Sequence, residues 1–155
     1  MSEQAYTVLI LDDDEAVRES FRDYFEDLGW QVWVAPTAEE AFDLLERQTL
    51  DAAVVDIRLP GMDGNAWLRA VREVHPRLAC VVCTGSPEYR QPTDITVSPQ
   101  VSERVFFKPV PDLDELAETL RRQIEQLSRH HRDELGRRKP ARPSDRTVQR
   151  EGTSP

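Results

Sequence analysis

No apolar run in the 155 residues approaches the roughly 18 that a membrane-spanning helix needs. The opening stretch, MSEQAYTVLILDDD, has no basic region ahead of its apolar residues and no small-residue cleavage site. No signal peptide is expected, and the chain reads as cytoplasmic. Cysteine is scarce: Cys80 and Cys83 are the only two. Their CxxC spacing is superficially that of a redox or zinc motif, but no second pair exists to complete a zinc site. They lie inside the apolar run LACVVC, where positions i and i+3 of a strand point to opposite faces. A structural role in the core is the expectation. No internal repeat and no further enzyme motif is present.

What is abundant is negative charge. The formal net charge is −9, unevenly spread. Residues 129–155 hold eight Arg/Lys against four Asp/Glu, and the first 128 residues hold 12 against 25, a net −13. An acidic body argues against general nucleic-acid binding. Apolar residues make up 39% of the chain, enough for one core, and the length suggests a single domain with a tail.

Strand-like and helix-like stretches alternate. Residues 6–11 form an unbroken apolar strand, followed by Asp12-Asp13-Asp14. Val17, Phe21, Tyr24, Phe25 and Leu28 then fall at helical spacing, with Asp14 as N-cap and Gly29 as C-cap. A second strand spans 31–35. Thr37 caps a second helix, with Glu40 placed as in a capping box. A third strand, Ala52-Ala53-Val54-Val55, runs into Asp56 and the loop punctuated by Pro60 and Gly61. A third helix spans 64–74, and a fourth strand spans 78–83, ending at Thr84-Gly85. Pro87, Pro92 and Pro99 make the next helix irregular, with at most a turn before Pro92. A fifth strand, 104–107, ends at Lys108-Pro109, and Asp112 caps a last helix with Leu113, Leu116, Leu120, Ile124 and Leu127 as its stripe. This order predicts a doubly wound α/β domain with a parallel sheet over residues 4–128. From Arg129 onward the composition predicts a frayed helix end, then a basic disordered tail.

Four of the five strands end in a functional group: Asp12 and Asp13, Asp56, Thr84, and Lys108. A parallel sheet brings all of these ends to one edge, where open α/β sheets bind ligands. Crowded carboxylates resist ionisation unless a cation compensates them. Hard oxygen ligands suit Mg²⁺. Lys108 brings a flexible point charge that can reach a phosphate oxygen. An Asp carboxylate can itself act as nucleophile and form an aspartyl phosphate.

The motifs VLILDDDEAVR, VVDIRLPGMDG, CTG and FFKPV, in that order and spacing, resemble the receiver domain of two-component response regulators over residues 5–128. The resemblance implies a flavodoxin-like five-stranded sheet of order 2-1-3-4-5. It implies Asp56 as the acceptor of a phosphoryl group from a sensor histidine kinase or histidine phosphotransfer protein. It implies Asp12 and Asp13 as the acidic pair that organises Mg²⁺, with Asp56 and the Arg58 backbone carbonyl as further ligands. Thr84 and Lys108 would contact the phosphoryl oxygens, and Lys108-Pro109 would be a cis peptide. The family's switch aromatic falls on Val105 here, a departure. Arg58 and Ser86 hold positions that tune water access to the phosphate.

No output or DNA-binding domain is recognisable after the receiver, so a stand-alone domain is expected. It would act through an unknown partner, a relay or as a phosphate sink, with no catalysis beyond self-phosphorylation and slow autodephosphorylation. With its fourth helix remodelled, it is expected to be a monomer or weak dimer. Two other readings stay open at this stage. LDDDEAV, Thr84 and Lys108 also loosely resemble haloacid-dehalogenase-type phosphatases, with Asp12 as nucleophile and Asp14 as general acid/base. A pseudo-receiver that never sees phosphate is the third.

Overall fold

The computed structural model describes residues 5–137. Its elements are β1 (Thr7–Leu11), α1 (Glu15–Asp27), β2 (Gln31–Ala35), α2 (Ala38–Arg47), β3 (Ala52–Val55), α3 (Gly64–Val74), β4 (Ala79–Thr84), α4 (Thr93–Thr96), β5 (Phe106–Phe107) and α5 (Leu113–Arg137). The sheet has the order β2-β1-β3-β4-β5 and every pairing is parallel. The parallel, doubly wound sheet is the one that the alternation of elements predicts, and its strand order is the one that the receiver-domain resemblance implies. Among the described residues no helix is long and apolar enough to cross a membrane.

The three central strands are buried on both faces, which is why they read as unbroken apolar runs. Leu9, Leu11, Val55, Cys80 and Val82 face a cluster with Leu45, Trp67, Val71 and Ile95, from α2, α3 and α4. Val8, Ile10, Val54, Val81 and Cys83 face Phe21, Phe25, Leu116 and Leu120, from α1 and α5. The two cysteines are free, buried and on opposite faces, as strand periodicity requires. Three helix starts use their expected caps. Asp14 accepts from the Ala16 and Val17 amides, Thr37 from Glu40, and Asp112 from Asp114.

Three elements depart from expectation. The single turn α4 follows Pro92 rather than preceding it. Proline has no N–H to lose at a helix start, and its carbonyl accepts from the Ile95 and Thr96 amides at 3.0 and 2.9 Å. Strand β5 is two residues long, not four. The edge of β4 is already partly taken, because Cys80 bonds Gln100 and Ser102 through its N–H and C=O, both at 2.9 Å. Residues 103–105 are outside the ladder, which resumes where Phe106 pairs with Cys83. Finally, α5 continues through 129–137 to Arg137, where composition suggested fraying. Leu127 is buried, His131 Nε2 lies 3.4 Å from the Pro76 carbonyl, and His130 faces Glu134 at i+4. Those anchors are long-range or turn-spaced, so a composition average misses them. The expected disordered stretch beyond Arg137 lies outside the described residues.

Candidate functional site

Ladder bonds continue past the strand ends and fix where the polar residues begin. The Asp12 amide donates to Ala35 O (3.1 Å), Asp56 to Leu11 O (2.9 Å) and Lys108 to Thr84 O (2.8 Å). The chain then turns sharply after Asp56. A Cβ on Gly64 would lie 2.2 Å from the Asp56 carbonyl oxygen, so only glycine lets α3 start this close to the strand end.

One carboxylate oxygen each from Asp12, Asp13 and Asp56 lie within 4.8 Å of one another. Asp12 and Asp56 are 3% and 4% exposed, while Asp13 faces solvent. Lys108 reaches both buried acids, with Nζ 2.8 Å from Asp12 Oδ2 and 3.4 Å from Asp56 Oδ2. Burial and the neighbouring Asp12 charge raise the Asp56 pKa above the usual carboxylate range, against the opposing pull of Lys108 and the Arg58 amide. Burial works against the Lys108 charge, yet its contacts with Asp12 and Asp56 prevail and its pKa is raised. The lysine is held charged between two acids and neutralises only part of them. An oxygen-rich, under-compensated cluster of this kind suits a hard divalent cation.

Asp56, Lys108, Asp13, Arg58, Gly85 and Ser86 line an open cavity of about 460 Å³. Thr84 is fully buried beneath it, and its Oγ1 accepts from the Ser86 amide at 3.1 Å. Val105 stands apart from the cavity, partly buried against the core on the α2, α3 and α4 side. The Lys108-Pro109 peptide is cis.

Both Asp12 oxygens are engaged, Oδ1 by the Asp14 amide (2.9 Å) and Oδ2 by Lys108. Asp14 itself caps α1. Those bonds disfavour Asp12 as a nucleophile and Asp14 as an acid/base, the roles a haloacid-dehalogenase-type phosphatase needs.

Sequence reasoning singled out Arg58 and Ser86 at the cavity but missed the contacts around them. Arg58 pairs with Glu88 at 3.4 Å across the mouth of the cavity. Tyr89 donates to Asn65 (2.7 Å), and Asp94 of α4 is gripped by Arg69 (2.8 Å) and Arg72 (3.6 Å) of α3. Arg69 and Arg72 are spaced i, i+3, so their shared face was legible; their partner, more than 20 residues away, was not.

The family model for the response regulator receiver domain matches residues 8–121. The chain belongs to the response regulator receiver family. Its receiver fold is similar to that of a CheY-like receiver domain protein from Methanospirillum hungatei JF-1, with a TM-score of 0.68 and 26% identity, covering 82% of this chain and 99% of that one. Over 77 residues it is 38% identical to the response regulator MprA of Mycolicibacterium vanbaalenii, covering 50% of this chain and 33% of that protein. Sporulation initiation phosphotransferase F of Bacillus subtilis is 23% identical over 117 residues, 76% of this chain and 92% of that protein. The matched stretch of the receiver spans about half or less of several curated relatives: 51%, 33% and 24% of the first three.

Proposed function

We propose that the chain accepts a phosphoryl group on Asp56 from a histidine kinase or histidine phosphotransfer protein and signals through the phosphorylated form. The observation that carries this reading is the Asp56 carboxylate at the base of an open cavity, 3.4 Å from Lys108 and beside the Asp12–Asp13 pair. In the transfer, an Asp56 oxygen bonds to phosphorus as the phosphorus–nitrogen bond of a phosphohistidine breaks, and the imidazole keeps that bond's electron pair. Lys108 is placed to follow the new charge from the carboxylates onto a phosphoryl oxygen. Asp12, Asp13 and Asp56, with the Arg58 carbonyl, would hold Mg²⁺, which supplies charge neutralisation. Thr84 would contact the phosphoryl group once its hydroxyl turns from the Ser86 amide. Arg58 and Ser86, on the cavity wall, would set how water reaches the phosphate.

The test is phosphate incorporation from a small phosphodonor with Mg²⁺, wild type beside Asp56→Asn. Labelling of wild type alone supports Asp56 as acceptor. Labelling of both points to another carboxylate, and labelling of neither, even from a phosphohistidine donor, favours a phosphate-independent module.

A further inference from the structure

The end of the sheet opposite the carboxylates carries a second groove, of about 500 Å³. It lies between the last turns of α5 and the chain around Pro76 and Val97–Gln100. Its helical wall is the i, i+4, i+8 row Leu127, His131 and Leu135. Leu127 is buried, but Leu135 is 59% exposed, and Val97 on the facing wall is 71% exposed. These two are among only five large hydrophobic side chains exposed in the described residues. Isolated exposed apolar residues need no explanation, but two that face each other across one groove do.

The charge at this groove runs against the rest of the body. Arg77 lines it, and Arg132 lines an adjoining hollow of about 280 Å³ that shares Arg77, His131 and Leu135 with it; neither arginine has a carboxylate partner among the described residues. Arg72 is engaged by Asp94, and among the described residues Glu134, beside His130, is the only acid lining the groove. An apolar trough flanked by two unpaired arginines is complementary to an apolar face flanked by carboxylates.

We propose that this groove docks an acidic amphipathic helix of another protein, its apolar face on Val97 and Leu135 and its acids on Arg77 and Arg132. A row of side chains along α5 suits a helical ridge laid beside it. The chain's own residues 138–155 fit poorly. They hold five Arg/Lys against two Asp/Glu, and Val148 is their one large aliphatic side chain. A symmetric second copy fits poorly too, because it would set these arginines against themselves. The site is separate from Asp56 and does not depend on its chemistry.

The test uses the full chain and a fluorescent helical peptide of about five turns, with Leu on one face and Glu on the other. Its twin carries Lys in place of Glu. The acidic peptide should bind roughly tenfold more tightly or better, a difference of about 1.4 kcal/mol. Val97→Asp with Leu135→Asp should abolish binding. Arg77→Glu with Arg132→Glu should reverse the preference. All four positions lie on the surface, and circular dichroism checks that each variant is folded. Equal binding of the two peptides, or binding that survives Val97→Asp/Leu135→Asp, overturns the proposal. So does displacement of the probe by a synthetic 138–155 peptide, or self-association of the chain that Leu135→Asp abolishes.

Discussion

Asp56 sits where its charge is costly, buried beside Asp12 with one lysine shared between them. Its raised pKa means that the native state holds the proton more tightly than the unfolded chain does. Stability therefore falls as pH rises from the ordinary carboxylate value, about 4, through the raised one. In EDTA, Asp56→Asn should be more stable than wild type at neutral pH, with the advantage vanishing below about pH 4. Urea midpoints across pH would check this, and a variant less stable at pH 7 would contradict it. The rim residue Arg58 makes a different kind of prediction. Its exposed side chain pairs with Glu88 across the cavity mouth, where it can screen the phosphate from water. Arg58→Ala should lose phosphate severalfold faster; an unchanged decay rate refutes the shielding role. These residues differ in legibility. Asp12, Asp13, Asp56 and Lys108 could be read from the chain because each directly follows an apolar strand. Glu88 could not, because an exposed acid after Ser86-Pro87 resembles any loop acid until Arg58 is seen opposite it.

At the scale of elements, α4 is held to α3 by ion pairs rather than by a long apolar face. Arg69 holds the Asp94 carboxyl down at about pH 2, with Arg72 adding to the effect. A depressed acid stabilises the fold above its unfolded value and loses that contribution as pH falls through the native one. Asp94→Asn should thus be less stable than wild type above about pH 4, with the gap closing toward pH 2. High salt should narrow it, since both partners are exposed. Thermal melts over that range would decide, and a gap independent of pH would contradict the assignment. Gly64→Ala drives a Cβ into the Asp56 carbonyl. It should cost about 3 kcal/mol or more and lower phosphate incorporation, because relief requires moving the strand end. The prolines made the irregularity of α4 legible in advance. The place of its turn was not, because a proline ends a helix behind it as readily as it starts one ahead, and Ile95 finding the core settles which. The length of α5 was hidden similarly: its last turns are polar, and their anchors at Pro76 lie 55 residues away in sequence.

For the whole molecule, a parallel, doubly wound sheet followed from the alternation of elements, whereas its strand order was implied only by the resemblance to receiver domains. The surface facing β5 and α5 did not follow. There the chain between Thr96 and Arg104 and α5 line a polar groove of about 600 Å³. Gln123 donates to the Pro99 carbonyl beside it at 2.8 Å, locking that shape. A groove in this position works against a flat helix-on-helix contact through this face. Sedimentation before and after phosphorylation should find no tight dimer built on it. A phosphorylation-dependent dimer broken by Arg122→Glu would overturn that expectation.

The bonds that tie Asp12, Asp56 and Lys108 to neighbouring strand ends have a consequence for how such a protein can diverge. The floor of the cavity is anchored by ladder bonds at the ends of buried strands, while its rim rests on loop side chains. If Arg58 and Ser86 govern water access as proposed, sequence drift at Arg58, Ser86 and Glu88 would reset the signal's duration without passing through unfolded ancestors. Timing and foldability would then be inherited on separate residues, so that lineages could explore one while selection guards the other.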